Sequence, residues 1–314
     1  MKKSIADAVQ QRGGNENLIS ILSEDLSGTE LNSLLLEVFA RRSKKLAASE
    51  LLRQYQTNRF VSPAETNYLT LLEKTAETLR TFERHGFLAQ HLSPLVPIGT
   101  CSAMGVVDQD KVVSALRGTE VLADATNALA LYVCSQRKKK EVFISRNEHI
   151  KYCASQRHVR AQVVNIKGYS PHFSIGCLVS AGVDTGNFSF ERKALTEHFS
   201  ANADVLKSVF GIPVKYFKLQ KRSAYPDRFL ETLLIHLREH NLHWEIRVDA
   251  NAMPNNYYQG LQFKVIIELA GREFEIADGG FVDWTQKLLS NRKERFCISG
   301  FGLELLIKFS EGRL

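Results

Sequence analysis

The chain has 314 residues, 44% of them hydrophobic and 24% charged, with a formal net charge of +7. That is the composition of a folded globular protein of one large domain or about two ordinary ones, and it excludes a disordered chain. No apolar run approaches the roughly 18 residues of a membrane span, and "MKKSIADAVQQRGG" (1–14) has no apolar signal core, so a cytoplasmic protein without a membrane partner is expected. The 5 cysteines are odd in number and form no CxxC pair, which argues against a disulfide framework or a structural zinc site. The dense basic run at 137–140, "RKKK", reads as a solvated turn rather than a nucleic-acid patch.

From residue 17 to 79, apolar residues recur at three- and four-residue spacing, as in "LNSLLLEVFARRSKKL" and "NYLTLLEKTAETLRTF". This predicts helices, with a break near Ser62-Pro63. After about Gly86, extended segments alternate with helices. Strands are predicted at "EVFIS" (141–145), "AQVVNI" (161–166), "FSIGCLVSAG" (173–182) and "VKYFKLQ" (214–220). Three more follow at "HWEIRVDA" (243–250), "LQFKVIIEL" (261–269) and "REFEIA" (272–277). Between them, residues 191–211 and 226–240 read as helices, one ending at Gly211 and one opening at Pro226. Strands joined by short turns predict a largely antiparallel sheet with helices packed on it, an α+β fold. No GxGxxG or GxxxxGK[ST] loop supports a βαβ nucleotide fold instead.

Six segments carry a resemblance by their order and spacing: "FERHGFLAQHLSPLVP" (82–97), "EVLADATNALAL" (120–131), "QRHVRAQVVNIKGYSPHFSIGCLVSAG" (156–182), "NNYYQGLQFKV" (255–265), "DGGFVDWTQKLL" (278–289) and "SGFGLELLIKF" (299–309). Together they resemble the core of class II aminoacyl-tRNA synthetases, of the histidyl type and its relative, the regulatory subunit of ATP phosphoribosyltransferase. The match runs from residue 81 to 309. It implies a synthetase-like core at 81–314 with no anticodon-binding domain, preceded by a helical extension at 1–80. The first segment looks like the dimer motif, which implies a homodimer. Asp124 and Thr126 stand where the family has an acid and a threonine of the amino-acid pocket. Arg157 matches the arginine that grips the α-phosphate, and Arg160 joins it in the candidate ligand-binding set. Tyr257 and Tyr258 match the tyrosine strand, Gly279 and Gly280 the Gly-Gly turn, and Gly300 and Gly302 the third motif. No catalytic residue and no metal ligand is assigned.

The departures weigh as much as the matches. Leu305 replaces the third-motif arginine, and Met253 and Pro254 stand where a second catalytic arginine belongs. Phe281 and Val282 follow the Gly-Gly turn in place of an arginine and a tyrosine, and Val159 replaces a glutamate. Adenylate formation builds negative charge on phosphorus, and losing one preorganised donor costs on the order of 10² to 10³ in rate. Leucine brings no donor at all. The expected function is therefore binding of a small amino-acid-like or nucleotide ligand in an accessory or regulatory role, beside a partner enzyme, without tRNA. The alternative is an adenylating ligase that uses ATP with Mg to load a non-tRNA acceptor.

Plainer readings of the same residues stand alongside. Asp124 and Thr126 suit a helix cap, Arg157 a surface charge, and the glycines close strand packing. His172 reads as structural. "HLREH" (236–240) has the i, i+4 histidine spacing of an inverted zinc protease, but polar residues there also suit the solvent face of a helix.

Overall fold

The computed structural model describes residues 4–14, 17–141, 148–162, 170–223, 225–226, 228–240, 244–250, 253 and 255–313. The N-terminal helices are α1 (Ile5–Gly13), α2 (Leu18–Ser20), α3 (Gly28–Ser43) and α4 (Ala48–Thr57). Capping boxes open two of them: Ser4 exchanges hydrogen bonds with Asp7, and Ser27 with Glu30. None of the four contains a buried residue. Helix α5 (Tyr68–Arg84) differs, because it buries Leu71, Thr78, Thr81 and Phe82 against the core. The boundary expected after residue 80 thus falls inside a core helix. The change from exposed to packed helices lies between α4 and α5.

The strands are β1 (Leu88–Ala89), β2 (Leu95–Pro97), β3 (Ser114–Ala115), β4 (Thr119–Val121), β5 (Ile150–Val159) and β6 (His172–Val183). They continue with β7 (Val214–Lys221), β8 (Glu245–Val248), β9 (Gln259–Leu269), β10 (Arg272–Val282) and β11 (Glu294–Gly302). Eight form the main sheet in the order β1-β5-β6-β11-β10-β9-β7-β8, and β2-β4-β3 form a small second sheet. The pairings from β5 across to β7 are all antiparallel, with parallel pairs only at the two edges. Four of the predicted strands appear in β6, β7, β9 and β10, and 243–250 contributes the short β8. Of "EVFIS" only Glu141 is described and it lies outside any strand, while Ala161 and Gln162 of "AQVVNI" follow the end of β5. The rest of those two segments lies outside the described residues.

The remaining helices are α6 (Thr100–Gly105), α7 (Ala125–Lys138), α8 (Ser189–Ser208), α9 (Arg228–Glu239), α10 (Trp284–Leu289) and α11 (Leu303–Ser310). One face of the main sheet is covered by α5, α8, α9 and α11 over a phenylalanine-rich core. There the rings of Phe199 and Phe217 stack with centroids 3.8 Å apart. The other face is covered by α7 and α10, around Leu129, Val133 and Trp284. Beyond those helices this second face is open and forms the floor of a deep cleft. This is a mixed α+β architecture built on a large antiparallel sheet.

Candidate functional site

Side chains alternate across a sheet, so parity decides which residues reach the cleft. His158 and Arg160 from the end of β5, Ile175 and Cys177 from β6, Ile298 and Gly300 from β11, Asp278 from β10, and Gln262 and Lys264 from β9 all line it. The space measures about 970 Å³, ample for a small organic ligand. Asp124, Thr126, Tyr257, Tyr258 and Gly302 lie on the same cleft.

Asp124 has two roles at once. It is the N-cap of α7, and its Oδ1 accepts from the Thr126 amide (2.9 Å) and hydroxyl (2.7 Å). Its Oδ2 accepts from the Tyr257 hydroxyl at 2.7 Å. The cap and the pocket acid are therefore the same carboxylate. A parallel unit lies beside it: the Tyr258 hydroxyl donates to Asp278 Oδ2 at 2.9 Å, and Gln262 Nε2 donates to the same oxygen at 3.3 Å. Burial pushes the Asp278 carboxyl above its ordinary range, and the charge of Asp124 adds to the push. Both tyrosines are raised well above theirs, first by burial and then by the neighbouring aspartates.

Sequence reasoning missed Asp278 and His158. The signal for Asp278 was an acid directly before Gly279-Gly280, set apart from Arg272, Glu273 and Glu275 at the start of the same strand. His158 is buried, and burial, reinforced by the charge of Arg160, lowers its pKa to about 4 despite Asp124 nearby. It is neutral at pH 7. Its Nε2 accepts from the Ala125 amide at 3.0 Å, so the proton resides on Nδ1, which has no partner among the described residues. Asn127, which also lines the cleft, has an Oδ1 that is likewise without a partner among the described residues.

Arg157 is placed differently from the expectation. It pairs across the ladder with Ser174 and points to the helical side of the sheet, and it is not among the residues lining the cleft. Its guanidinium donates to Glu304 Oε1 at 2.8 Å and to His172 Nδ1 at 2.6 Å. Glu304 Oε2 in turn accepts from the Ser174 amide at 2.8 Å. His172 Nε2 donates to the Ser62 carbonyl at 2.6 Å, which leaves Nδ1 free to accept from Arg157. Arg157 is thus tied to α11 through Glu304, and its charge is spent within the chain. Arg160, three residues on, lines the cleft. It donates to the Ala123 carbonyl at 3.1 Å and sits over the Phe173 ring.

The glycines divide in the same way. Gly279 and Gly280 do not line the cleft. A Cβ at Gly280 would stand 2.3 Å from the Leu261 carbonyl and 2.8 Å from the Tyr258 ring, so this glycine lets β9 and β10 close beneath Tyr258. At Gly302 the nearest atom to such a Cβ, on Leu305, is 3.5 Å away. Nothing among the described residues requires a glycine there; its effect is to keep the cleft wall bare.

The sequence matches no family model and no curated protein. The fold does have relatives. A histidine–tRNA ligase subunit from Alicyclobacillus acidocaldarius superposes with a TM-score of 0.60 at 12% identity, over 80% of this chain and 96% of that one. An ATP phosphoribosyltransferase regulatory subunit/histidyl-tRNA synthetase from Bacillus halodurans gives 0.58 at 12% identity, over 79% and 82%. Histidyl-tRNA synthetase of S. aureus gives 0.59 at 13% identity, over 80% and 69%. The chain has a class II aminoacyl-tRNA synthetase-like core.

Within that class II-like core, the positions that depart from the family's motifs can be located. Leu305 lines the cleft and packs on the hydrophobic core. Met253 offers only its carbonyl, to Arg222 Nη1 at 2.6 Å, and Pro254 lies outside the described residues. Phe281 and Val282 are buried. Three of the cleft's lysines face carboxylates: Lys264 with Glu275 (2.5 Å), Lys111 with Asp108 (2.8 Å) and Lys308 with Glu65 (3.7 Å). Arg59, from the segment joining α4 to α5, donates to the carbonyls of Ala161 and Gln162. In "HLREH" the rings of His236 and His240 lie 3.9 Å apart, and no group of three His, Cys, Asp or Glu among the described residues is arranged to hold a metal.

Proposed function

We propose that this class II-like core binds a small amino-acid-like ligand in an accessory or regulatory role and does not charge tRNA. The observation that supports this reading is the polarity of the cleft. Its floor presents two carboxylates, Asp124 and Asp278, each held by a tyrosine, which suits a ligand ammonium group. The neutral His158, with an unpaired N–H, and Arg160 suit its carboxylate. At the positions where the family grips a triphosphate, Leu305 brings no charge and Arg157 is bound to Glu304. Among the fold relatives, one is described as an ATP phosphoribosyltransferase regulatory subunit/histidyl-tRNA synthetase, in keeping with a partner enzyme for this chain too. Calorimetric titration with the twenty amino acids, without ATP, should find at least one that binds. Binding of ATP alone, with no amino acid bound in its absence, would contradict the reading.

A second reading is an adenylating ligase for a non-tRNA acceptor, with ATP and Mg. Arg160 favours it, because this cleft-lining arginine makes no ion pair among the described residues.

We infer a homodimer through the segment around β1 and β2. Phe87 and Leu92 are buried inside the chain, so charging either tests folding rather than dimerisation. The exposed apolar side chains there are Leu88 (61%), Leu95 (41%) and Ile98 (52%). Sedimentation should show a dimer that Leu88→Glu with Leu95→Glu converts to folded monomer. A monomeric unmodified protein at micromolar concentration would refute this.

A further inference from the structure

Asp278 is a carboxylate with a built surrounding. Both donors that reach it, the hydroxyl of Tyr258 and the amide of Gln262, converge on Oδ2. Gln262 has no freedom to flip, because its Oε1 accepts from Arg222 Nη2 and its amide nitrogen must then face Asp278. Two residues thus hold Oδ2, with Arg222 fixing the second of them, and Asp278 lines the open cleft. Lys264 stands directly across the β9–β10 ladder from Asp278, yet it is drawn to Glu275 at 2.5 Å.

A separate observation points to the same kind of ligand group. Asn127 is 1% exposed and lines the cleft, and its Oδ1 has no donor among the described residues. Asp278 Oδ1 and Asn127 Oδ1 are both acceptors, and both call for N–H groups. The rings of Tyr257 and Tyr258, with centroids 4.9 Å apart and tilted by 69°, add aromatic surface suited to a cation. Asp124 alone suffices for one ammonium; Asp278 supplies a second site for positive charge.

We infer that Asp278 selects a second amino group on the ligand, so that the cleft takes a basic amino acid in preference to a neutral or acidic one. This rests on the reading that the cleft binds an amino-acid-like ligand. The test is calorimetry on the full chain at pH 7.5 with L-lysine, L-norleucine and L-glutamate, the first two differing only in the ε-amine. Lysine should bind roughly tenfold or more tighter than norleucine, the worth of a charge-assisted hydrogen bond, and glutamate should bind weakest. In Asp278→Asn, which keeps the size and one acceptor, the lysine-to-norleucine ratio should fall to near unity. Equal binding of lysine and norleucine to the unmodified protein overturns this inference and leaves amino-acid binding standing. A lysine preference that survives Asp278→Asn also overturns it. Failure of every amino acid to bind removes both. The comparison on the unmodified protein decides the matter even where the variant fails to fold.

Discussion

Gly280→Val is expected to destabilise the protein by roughly 3 kcal/mol or more, the upper range for forcing atoms into a closed interior. A Cβ at this position meets three neighbours at once: the Leu261 carbonyl at 2.3 Å, the Tyr258 ring at 2.8 Å and the Gln262 Cα at 3.0 Å. Two of the three are main-chain atoms of a central strand, which cannot retreat without breaking the β9–β10 ladder. The register already shifts between Gly280 and Phe281, so the strands have no slack there. Gly302→Ala is the control. Its new methyl meets only Leu305 Cβ at 3.5 Å, an ordinary contact, and its stability should match the parent within about 0.5 kcal/mol. Urea unfolding of the two variants measures both. Equal losses would mean that the Gly-Gly turn is not a packing device.

Acid should destabilise the fold through two buried histidines. His198 lies between Ser180 Oγ (3.1 Å) and Ser299 Oγ (2.8 Å), and burial lowers its pKa to about 3. His158 is lowered to about 4 for the same chief reason. A base with a folded-state pKa below its unfolded value binds fewer protons when folded. The stability is therefore complete above about pH 6.5 and is lost as pH falls toward the folded values. At pH 4.5 each histidine has forgone about two pH units of protonation, or roughly 2.5 kcal/mol, and the pair roughly 5. Unfolding free energies at pH 7.5 and 4.5 test this, with His198→Gln expected to flatten the slope. Stability that stays level across that range would contradict it.

The fold was largely legible in the sequence because its strands are rich in Val, Ile and Phe and its helices keep their three- and four-residue spacing. The site was legible where local chemistry marks it. Asp124 and Thr126 form a recognisable cap, and the adjacent tyrosines 257 and 258 stand in the bend just before β9. It was not legible in β5. "IKYCASQRHV" carries polar residues on both faces toward its end, so no hydrophobic alternation tells which of Arg157, His158 and Arg160 turns to the cleft. A shift of one residue exchanges the faces, so the family resemblance that marked Arg157 carried no information about which face its side chain takes. Its partner, Glu304, is 147 positions away, and such a bridge leaves no trace in a single sequence. Asp278 escaped for a related reason, since its meaning comes from Tyr258 and Gln262 on a neighbouring strand and from Arg222 behind them.

Under the proposed function, the cleft of this synthetase-like fold recognises a small ligand without gripping a triphosphate. Amino-acid-dependent exchange of labelled pyrophosphate into ATP measures that most directly. With Leu305 supplying no donor and Arg157 bound to Glu304, exchange should stay at background with each of the twenty amino acids, including any that binds. Two lost donors at a factor on the order of 10² to 10³ each leave little to detect. Robust exchange with any one amino acid would contradict the account and establish the adenylating ligase in its place.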